Sequence, residues 1–252
     1  AFLSAGFGAL VGVVLITALS GWVARFALKF SSPEYFAVYF LAFASFVGLG
    51  GASPFKTVTS IGVGFALAAI GMDSVSGSLR LTFGLDQFIA GVSFLVAVIG
   101  LFGLGELVMT IEAGMKLEGI RARVSPRAVF ETLLQMPRYW VALLRSAAVG
   151  CWMGITPGGP TAASFMSYGL AKRFSRRRAG FGRGEPEGVI SPETADHAAG
   201  TSAMLPMLAL GVPGSATAAV MLGGLMIWGI NPGPMLFIER PDFVWGLVAS
   251  MD

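Results

Sequence analysis

Three properties of the sequence predict an all-α integral membrane protein, a multi-span helical bundle with re-entrant or broken helices. First, 55% of its 252 residues are hydrophobic and only 12% are charged, against about a quarter in an ordinary soluble domain. Second, 17 of the 31 charged residues fall within residues 112–187. Third, Pro-Gly motifs interrupt two of the apolar runs. A soluble enzyme is therefore disfavoured, and the bilayer is the expected solvent for most of the chain.

The first unit, residues 1–111, contains four apolar runs and is expected to form a scaffold of membrane segments. At ~1.5 Å per residue, the first, second and fourth runs can cross a ~30 Å hydrocarbon core, whereas the third is short. The runs are Phe2–Ala24, Pro33–Ser53, Thr57–Met72 and Gln87–Ile111. Small residues let membrane helices approach closely. Packing notches are therefore expected at Gly62, Gly64, Gly71, Gly100, Gly103 and Gly105.

Two stretches, residues 112–138 and 172–190, hold 11 of the 17 basic residues. Basic residues near membrane segments are concentrated on the cytoplasmic side. The first stretch is therefore predicted to be a cytoplasmic or interfacial segment, and the second a cytoplasmic loop. Nucleic-acid binding is not expected, because apolar runs flank the basic loop on both sides.

Residues 139–171 must then leave the cytoplasmic side and return to it. Two full crossings need about 20 residues each, which is more than this segment provides. We predict a re-entrant hairpin of two half-helices whose tip is the motif Thr156-Pro157-Gly158-Gly159-Pro160. Arg145 lies near the entrance of the hairpin, where its long side chain is expected to reach the interface.

Residues 191–237 repeat this arrangement as a broken helix. Ser191 is predicted to cap the helix and Pro192 to occupy its first position. The interruption is the motif Gly211-Val212-Pro213-Gly214-Ser215. Residues 238–252 are expected to begin a further membrane segment, and the chain is interpreted as an internal piece of a longer membrane protein.

The two interruptions align with each other at a spacing of 56 residues, with the shared pattern Pro-Gly-small-x-Thr-Ala-Ala. Proline removes a backbone donor and glycine frees the backbone, so that each break exposes polar groups that lipid cannot satisfy. Helices that begin at such breaks suit an anion, and helices that end there offer carbonyl groups to a cation. The alternative is a pair of structural kinks. The predicted substrate- and ion-binding residues are Thr156, Pro157, Gly158, Gly159, Thr161, Ser164, Gly211, Pro213, Gly214, Ser215, Thr217 and Asp196.

Acidic residues at membrane depth are functional by default. Asp196 and His197 lie early in the helix that leads to the second break, so that an interfacial position without a role is equally open. The same holds for Glu106, near the end of its apolar run. One Cys (Cys151) and one His do not provide a usual zinc ligand set. No catalytic motif and no ATP-binding Gly-rich loop is present in the sequence, so we expect neither an enzyme nor a cofactor, and transport would depend on an ion gradient.

Residues 150–237 resemble the large membrane subunit of the tripartite tricarboxylate transporters, the TctA type. The similarity lies in several motifs in order, and weaker similarity continues upstream to Pro33. The motifs are Gly154-Ile-Thr-Pro-Gly-Gly-Pro-Thr-Ala-Ala-Ser-Phe, Phe181-Gly-Arg-Gly-Glu-Pro-Glu-Gly-Val-Ile-Ser-Pro-Glu, Leu210-Gly-Val-Pro-Gly-Ser and Gly229-Ile-Asn-Pro-Gly-Pro-Met-Leu-Phe.

The resemblance implies a multi-pass permease of the bacterial inner membrane, of roughly twice this length. It also implies a periplasmic substrate-binding protein and a small membrane subunit as partners, and import of carboxylates such as citrate with Na⁺ or H⁺. The family carries a second pair of Pro-Gly breaks that this chain lacks, and usually has two Asn in place of Asp196-His197. Two other functions remain open from the residues alone: a membrane-embedded enzyme, and a structural subunit of a membrane complex.

Overall fold

The computed structural model describes residues 1–49, 53–73, 77–93, 96–97, 99–112, 125–157 and 159–250. The structure is 75% helical, which confirms the all-α class. The helices are α1 (Phe2–Ala27), α2 (Ser32–Leu49), α3 (Pro54–Ala68), α4 (Gly105–Glu112), α5 (Pro126–Gln135), α6 (Trp140–Ile155), α7 (Pro160–Phe174), α8 (Glu187–Ser202), α9 (Met204–Leu210), α10 (Ala216–Ile227), α11 (Leu236–Glu239) and α12 (Pro241–Ala249). Shorter elements are β1 (Gly71–Met72), β2 (Leu79–Arg80), 3₁₀ turns at Asp86–Phe88, Met136–Tyr139 and Arg178–Gly180, and a π-helix at Ile99–Leu104.

Helix α8 lies at the centre of the fold and packs against α1, α6 and α7. Two glycine pairs at four-residue spacing, Gly8 and Gly12 in α1 and Gly150 and Gly154 in α6, face it. A methyl group on Gly12 would lie 2.8 Å from Thr201 Cβ, and one on Gly150 would lie 2.8 Å from the Cβ of Ala198. The backbones therefore approach more closely than any larger residue would allow, as small residues permit between membrane helices.

The larger of two apolar clusters joins α1 and α9 to the C-terminal helices. Its centre includes Ile16, Met207, Leu208 and Val244, each with no exposed surface. A second cluster of small side chains, including Ala163, Ala195 and Ala199, lies between α6, α7 and α8. Ile155, the last residue of α6, also packs against the first cluster, to which α9 and α10 belong, so this cluster links the two predicted breaks.

Within the described residues, α1 is the one helix that is long and apolar enough to cross a membrane by length and composition. Shorter apolar helical stretches occur at Phe55–Ala68 and Thr217–Ile227. Many large apolar side chains are exposed, among them Trp22, Phe40, Phe65, Trp152, Phe165 and Trp228.

The apolar run Gln87–Ile111 does not form the continuous helix that its length suggested. Residues 89–93 follow a 3₁₀ turn without regular structure. Residues 96–97 are helical, and the π-helix Ile99–Leu104 and then α4 follow. The third run also ends early, because α3 stops at Ala68 and β1 pairs antiparallel with β2.

The glycine notches expected in the first unit are largely wrong. A Cβ atom on Gly62, Gly64, Gly100 or Gly105 would meet no described atom within 4 Å. Gly71 is an exception, since it has a φ of 121° and its Cβ would lie 2.9 Å from Gly91 Cα. Close packing is instead concentrated on α8, the helix with small residues on several faces.

The predicted helix start at Ser191 is also wrong. Helix α8 begins at Glu187 and carries Pro192 within it. Because this proline stands in the second turn, it removes only the bond to the Gly188 carbonyl group and does not end the helix. Ser191 is buried, and its carbonyl oxygen accepts a hydrogen bond from Ser167 Oγ at 2.9 Å. Of the segment 112–138, residues 113–124 lie outside the described part.

Candidate functional site

The first break separates α6 from α7 at the Pro-Gly motif. Helix α6 ends at Ile155, the Thr156 amide donates to the Met153 carbonyl at 3.2 Å, and the Gly159 amide donates to the Thr156 carbonyl at 2.9 Å. Gly159 is buried, and a Cβ atom there would lie 2.9 Å from the Thr156 oxygen. Pro160 then starts α7, at a position where the missing N–H is not needed. Gly158 lies outside the described residues.

The second break separates α9 from α10. Gly211 has a left-handed φ of 71°, and its amide donates to the Met207 carbonyl at 3.0 Å. Four residues later, Ser215 caps α10, because its Oγ accepts a hydrogen bond from the Ala218 amide at 3.2 Å. Gly211 therefore ends one helix in a conformation that favours glycine, and Ser215 begins the next. Pro213 lies between them, half-buried.

The two breaks meet at Gly214. This buried glycine faces the end of α6: a methyl group in its place would lie 3.5 Å from the Gly154 carbonyl oxygen and 3.9 Å from Pro157 Cα. It would also lie 3.8 Å from Ala203 Cβ. The second Pro-Gly motif therefore lies close to the first, with space for about one methyl group between them, although the two are 56 residues apart in sequence.

The hydroxyl groups of the two motifs have different surroundings. Thr156 Oγ1 donates to the Trp152 carbonyl at 3.0 Å. Ser164 lies one turn into α7 and is half-buried, whereas Thr217 is exposed on the first turn of α10. Thr161 belongs to α7, but its side chain lies outside the described part of the structure.

Asp196 is held beside the first break. Ser164 Oγ donates to Asp196 Oδ1 at 3.2 Å and also approaches the Pro192 carbonyl oxygen at 3.4 Å. The carboxylate thus lies next to the beginning of α7, where the aligned peptide dipoles favour negative charge. It is also exposed. In the part of the chain that the structure describes, no three His, Cys, Asp or Glu side chains are grouped to hold a metal ion.

His197 points away from this site. Its Nδ1 lies 3.0 Å from the Glu193 carbonyl oxygen, and the ring borders a shallow cavity formed by residues 2–10 of α1. The adjacent residues Asp196 and His197 therefore face different helices, α7 and α1 respectively. Glu106 is placed in α4, but its side chain is outside the described part.

The motif Asn231-Pro232-Gly233-Pro234 also belongs to this region, although it was not among the predicted site residues. The Gly233 amide donates to the Leu208 carbonyl of α9 at 2.9 Å. A methyl group on Gly211 would lie 2.9 Å from the Pro232 oxygen. This motif contains the same Pro-Gly pair as the two breaks, and that shared pair was the sequence signal that could have linked it to the second break.

Interrupted helices that meet at their breaks, with a carboxylate beside one of them, are typical of membrane transporters. The sequence agrees with that class, since the chain belongs to the tripartite tricarboxylate transporter TctA family, whose model matches residues 1–251. The resemblance seen in the motifs is thereby confirmed, and the family is one of transporter components rather than enzymes.

Two relatives from Agrobacterium vitis are similar to the chain. One, described as an uncharacterized 52.8 kDa protein in the TAR-I ttuC′ 3′ region, is 32% identical over 255 residues, which is 100% of this chain and 50% of the relative. The other, an uncharacterized protein in the TAR-II ttuC′ 3′ region, is 41% identical over 103 residues, 40% of this chain and 43% of the relative. The chain thus spans about half the length of the first relative. No solved structure matches it significantly.

Proposed function

We propose that this chain is part of a membrane permease that imports tricarboxylates or related carboxylates by cation-coupled symport. The observation that carries the proposal is the close approach of Gly214 to Gly154 and Pro157, which brings two broken helices together at their breaks. In secondary transporters, substrates and coupling ions bind where such helices open.

The anionic substrate is assigned to the first turns of α7 and α10. The first backbone N–H groups of a helix have no partner within it, and the helix dipole adds a partial positive charge there. Ser215 and Thr217 add hydroxyl groups on α10. A carboxylate accepts hydrogen bonds from both kinds of donor, so a substrate with several carboxylates can engage both helices.

The coupling cation is assigned to Asp196 and Ser164, which meet between α7 and α8. Asp196 supplies the negative charge, and Ser164 Oγ is oriented on it at 3.2 Å. Oxygen ligands of this kind suit Na⁺, and a carboxylate alone suits H⁺. No organic cofactor enters this mechanism, because the ion gradient provides the free energy.

The wider arrangement follows from the membrane assignment. We propose a multi-pass protein of the bacterial inner membrane, with the segments 112–138 and 172–190 facing the cytoplasm. Segments 1–111 form the scaffold, 139–171 the re-entrant hairpin, 191–237 the broken helix and 238–252 the start of a further membrane segment. The partners are a periplasmic substrate-binding protein, a small membrane subunit and the lipid bilayer, with no role for nucleic acid.

The proposal is tested by substituting Gly214 and measuring the uptake of radiolabelled citrate by the complete transporter. Gly214→Ala fits, since its Cβ makes ordinary contacts of 3.5 Å or more. Relative to alanine, Gly214→Val adds two further methyl groups, and overpacking of this kind costs about 1–3 kcal/mol, so the two breaks should be pushed apart and citrate uptake should fall several-fold. Gly224→Val in α10 is the matched control, because a Cβ there meets no described atom within 4 Å.

Normal citrate uptake by properly inserted Gly214→Val protein would overturn the assignment of the site. Coupling is tested separately, by collapsing the Na⁺ gradient or the H⁺ gradient with an ionophore. Uptake that survives the loss of both gradients would contradict symport while leaving the site assignment intact.

A further inference from the structure

A basic cavity of about 580 Å³ lies at the base of the α6–α7 hairpin, at the opposite end of these helices from the two breaks. Its volume falls within the range of small-ligand sites, about 300–1,000 Å³. Four arginines and two glutamates line it, which gives a formal charge of +2: Arg138, Arg145, Arg176, Arg177, Glu185 and Glu187.

Two polar atoms on its wall are buried without a hydrogen-bond partner among the described residues: Arg145 Nε and Glu187 Oε2. Two other charged residues of the cavity form an ion pair with each other, since Arg177 Nη1 lies 3.7 Å from Glu185 Oε1. A buried polar atom without a hydrogen-bond partner destabilises the fold. A ligand that fits this cavity would accept a hydrogen bond from Arg145 Nε and donate one to Glu187 Oε2.

Three of the lining residues have large apolar or aromatic side chains, and we refer to them as the apolar rim. They are Tyr139, Val141 and Phe174, and the Arg145 guanidinium lies 5.8 Å from the centre of the Phe174 ring. Phe174 is 64% exposed, and Trp140, which follows Tyr139 in sequence, is 61% exposed. Aromatic side chains beside arginines are typical of the membrane–water interface, where basic pockets between helices bind lipid headgroups.

We propose that this cavity binds the headgroup of an anionic phospholipid of the phosphatidylglycerol type. The phosphate accepts from Arg145, a headgroup hydroxyl donates to Glu187, and the acyl chains lie along Val141 and Phe174. A soluble phosphate ester would match the two polar atoms equally, but it would not use the apolar rim. The inference rests on the proposed membrane position and is independent of transport.

Native mass spectrometry of the purified full-length protein in detergent provides the test. Dioleoylphosphatidylglycerol is compared with dioleoylphosphatidylcholine, which lacks a headgroup hydroxyl and a net charge. The wild-type protein is expected to retain the first lipid preferentially. Arg145→Gln should lower this retention about tenfold, as the loss of a charge-assisted hydrogen bond predicts. Arg178→Gln, an exposed change in the same basic run but outside the cavity, should leave it unchanged.

Glu187 is tested by headgroup selectivity. Dioleoylphosphatidic acid carries a phosphate but no headgroup hydroxyl, so Glu187→Leu should reduce the preference for phosphatidylglycerol over phosphatidic acid several-fold. Arg145→Lys keeps the positive charge and provides a second test if Arg145→Gln does not fold. It should retain more lipid than the glutamine variant.

Equal lipid retention by the wild-type protein and a folded Arg145→Gln variant would overturn the proposal. So would displacement of the lipid by millimolar sn-glycerol 3-phosphate, which would identify a site for soluble phosphate esters. Displacement by citrate would instead assign the cavity to the transported anion. Because lipid retention is measured without a gradient, it remains decisive even if the uptake experiments fail.

Discussion

Ser164 Oγ donates a hydrogen bond to Asp196 Oδ1 at 3.2 Å, and this contact joins the first turns of α7 to the middle of α8. It brings an exposed carboxylate to the start of the helix that follows the first Pro-Gly break. The charge of Asp196 is therefore fixed beside the proposed substrate site rather than free on the helix surface.

Ser164→Ala is expected to weaken cation activation of uptake. If Na⁺ is the coupling ion, Ser164 Oγ is one of its oxygen ligands, and an interaction with a charged group contributes about 1.5–3 kcal/mol, so the Na⁺ concentration for half-maximal uptake should rise roughly tenfold. Initial citrate uptake against Na⁺ concentration measures this. Ser167→Ala is the matched control, because Ser167 also bonds α7 to α8, through the Ser191 carbonyl at 2.9 Å, but contacts no carboxylate. An equal shift in both variants would indicate a structural effect alone.

Asp196→Asn separates the charge from the hydrogen bond. The amide oxygen still accepts from Ser164, so the fold and expression level should be preserved. Cation activation should weaken at least as much as in Ser164→Ala, because the negative charge is lost. Unchanged dependence of citrate uptake on both Na⁺ and pH would exclude Asp196 from cation binding.

Gly150→Ala is expected to destabilise the contact of α6 with α8. The added methyl group would lie 2.8 Å from Ala198 Cβ, and overpacking costs about 1–3 kcal/mol. At about 2–4 °C per kcal/mol, thermal unfolding in detergent should occur several degrees lower. Gly169→Ala in α7 has open space around it, so the higher helix propensity of alanine should give no loss. Equal unfolding temperatures for the two variants would contradict the close packing.

Gly211→Ala should destabilise the second break for two reasons. A left-handed conformation costs a non-glycine residue about 1–2 kcal/mol, and the methyl group would lie 2.9 Å from the Pro232 oxygen. Gly229→Ala shares the first cost, with a φ of 68°, but its Cβ meets no described atom within 4 Å. The difference in unfolding temperature between the variants isolates the contact with Pro232, and a smaller loss for Gly211→Ala would count against it.

Ser215 is expected to act both as a helix cap and as a substrate ligand. Ser215→Ala removes the acceptor for the Ala218 amide and should cost about 1 kcal/mol of stability. Ser215→Asp keeps a cap but places a negative charge at the proposed anion site, so its unfolding temperature should stay high while the citrate KM rises. If Ser215→Asp takes up citrate with the wild-type KM, Ser215 serves only as a cap.

The positions of both breaks could be predicted from the sequence, because proline and glycine act on the backbone that carries them. The start of α8 could not: Ser191-Pro192 is a favourable helix beginning, but the helix begins at Glu187 and buries Ser191 against Ser167. The structure of the run Gln87–Ile111 could not be predicted either, because the length of an apolar run does not by itself ensure a continuous helix.

Composition and local motifs alone thus determined the helical class, the family resemblance and the two interruptions. Only the tertiary structure decided that Gly214 lies close to Gly154 and Pro157, and that Asp196 faces Ser164 while its neighbour His197 faces α1. The physical reason is the rotation of each helix about its axis. That rotation depends on where glycines in other helices let α8 approach, which is a property of distant residues packed together.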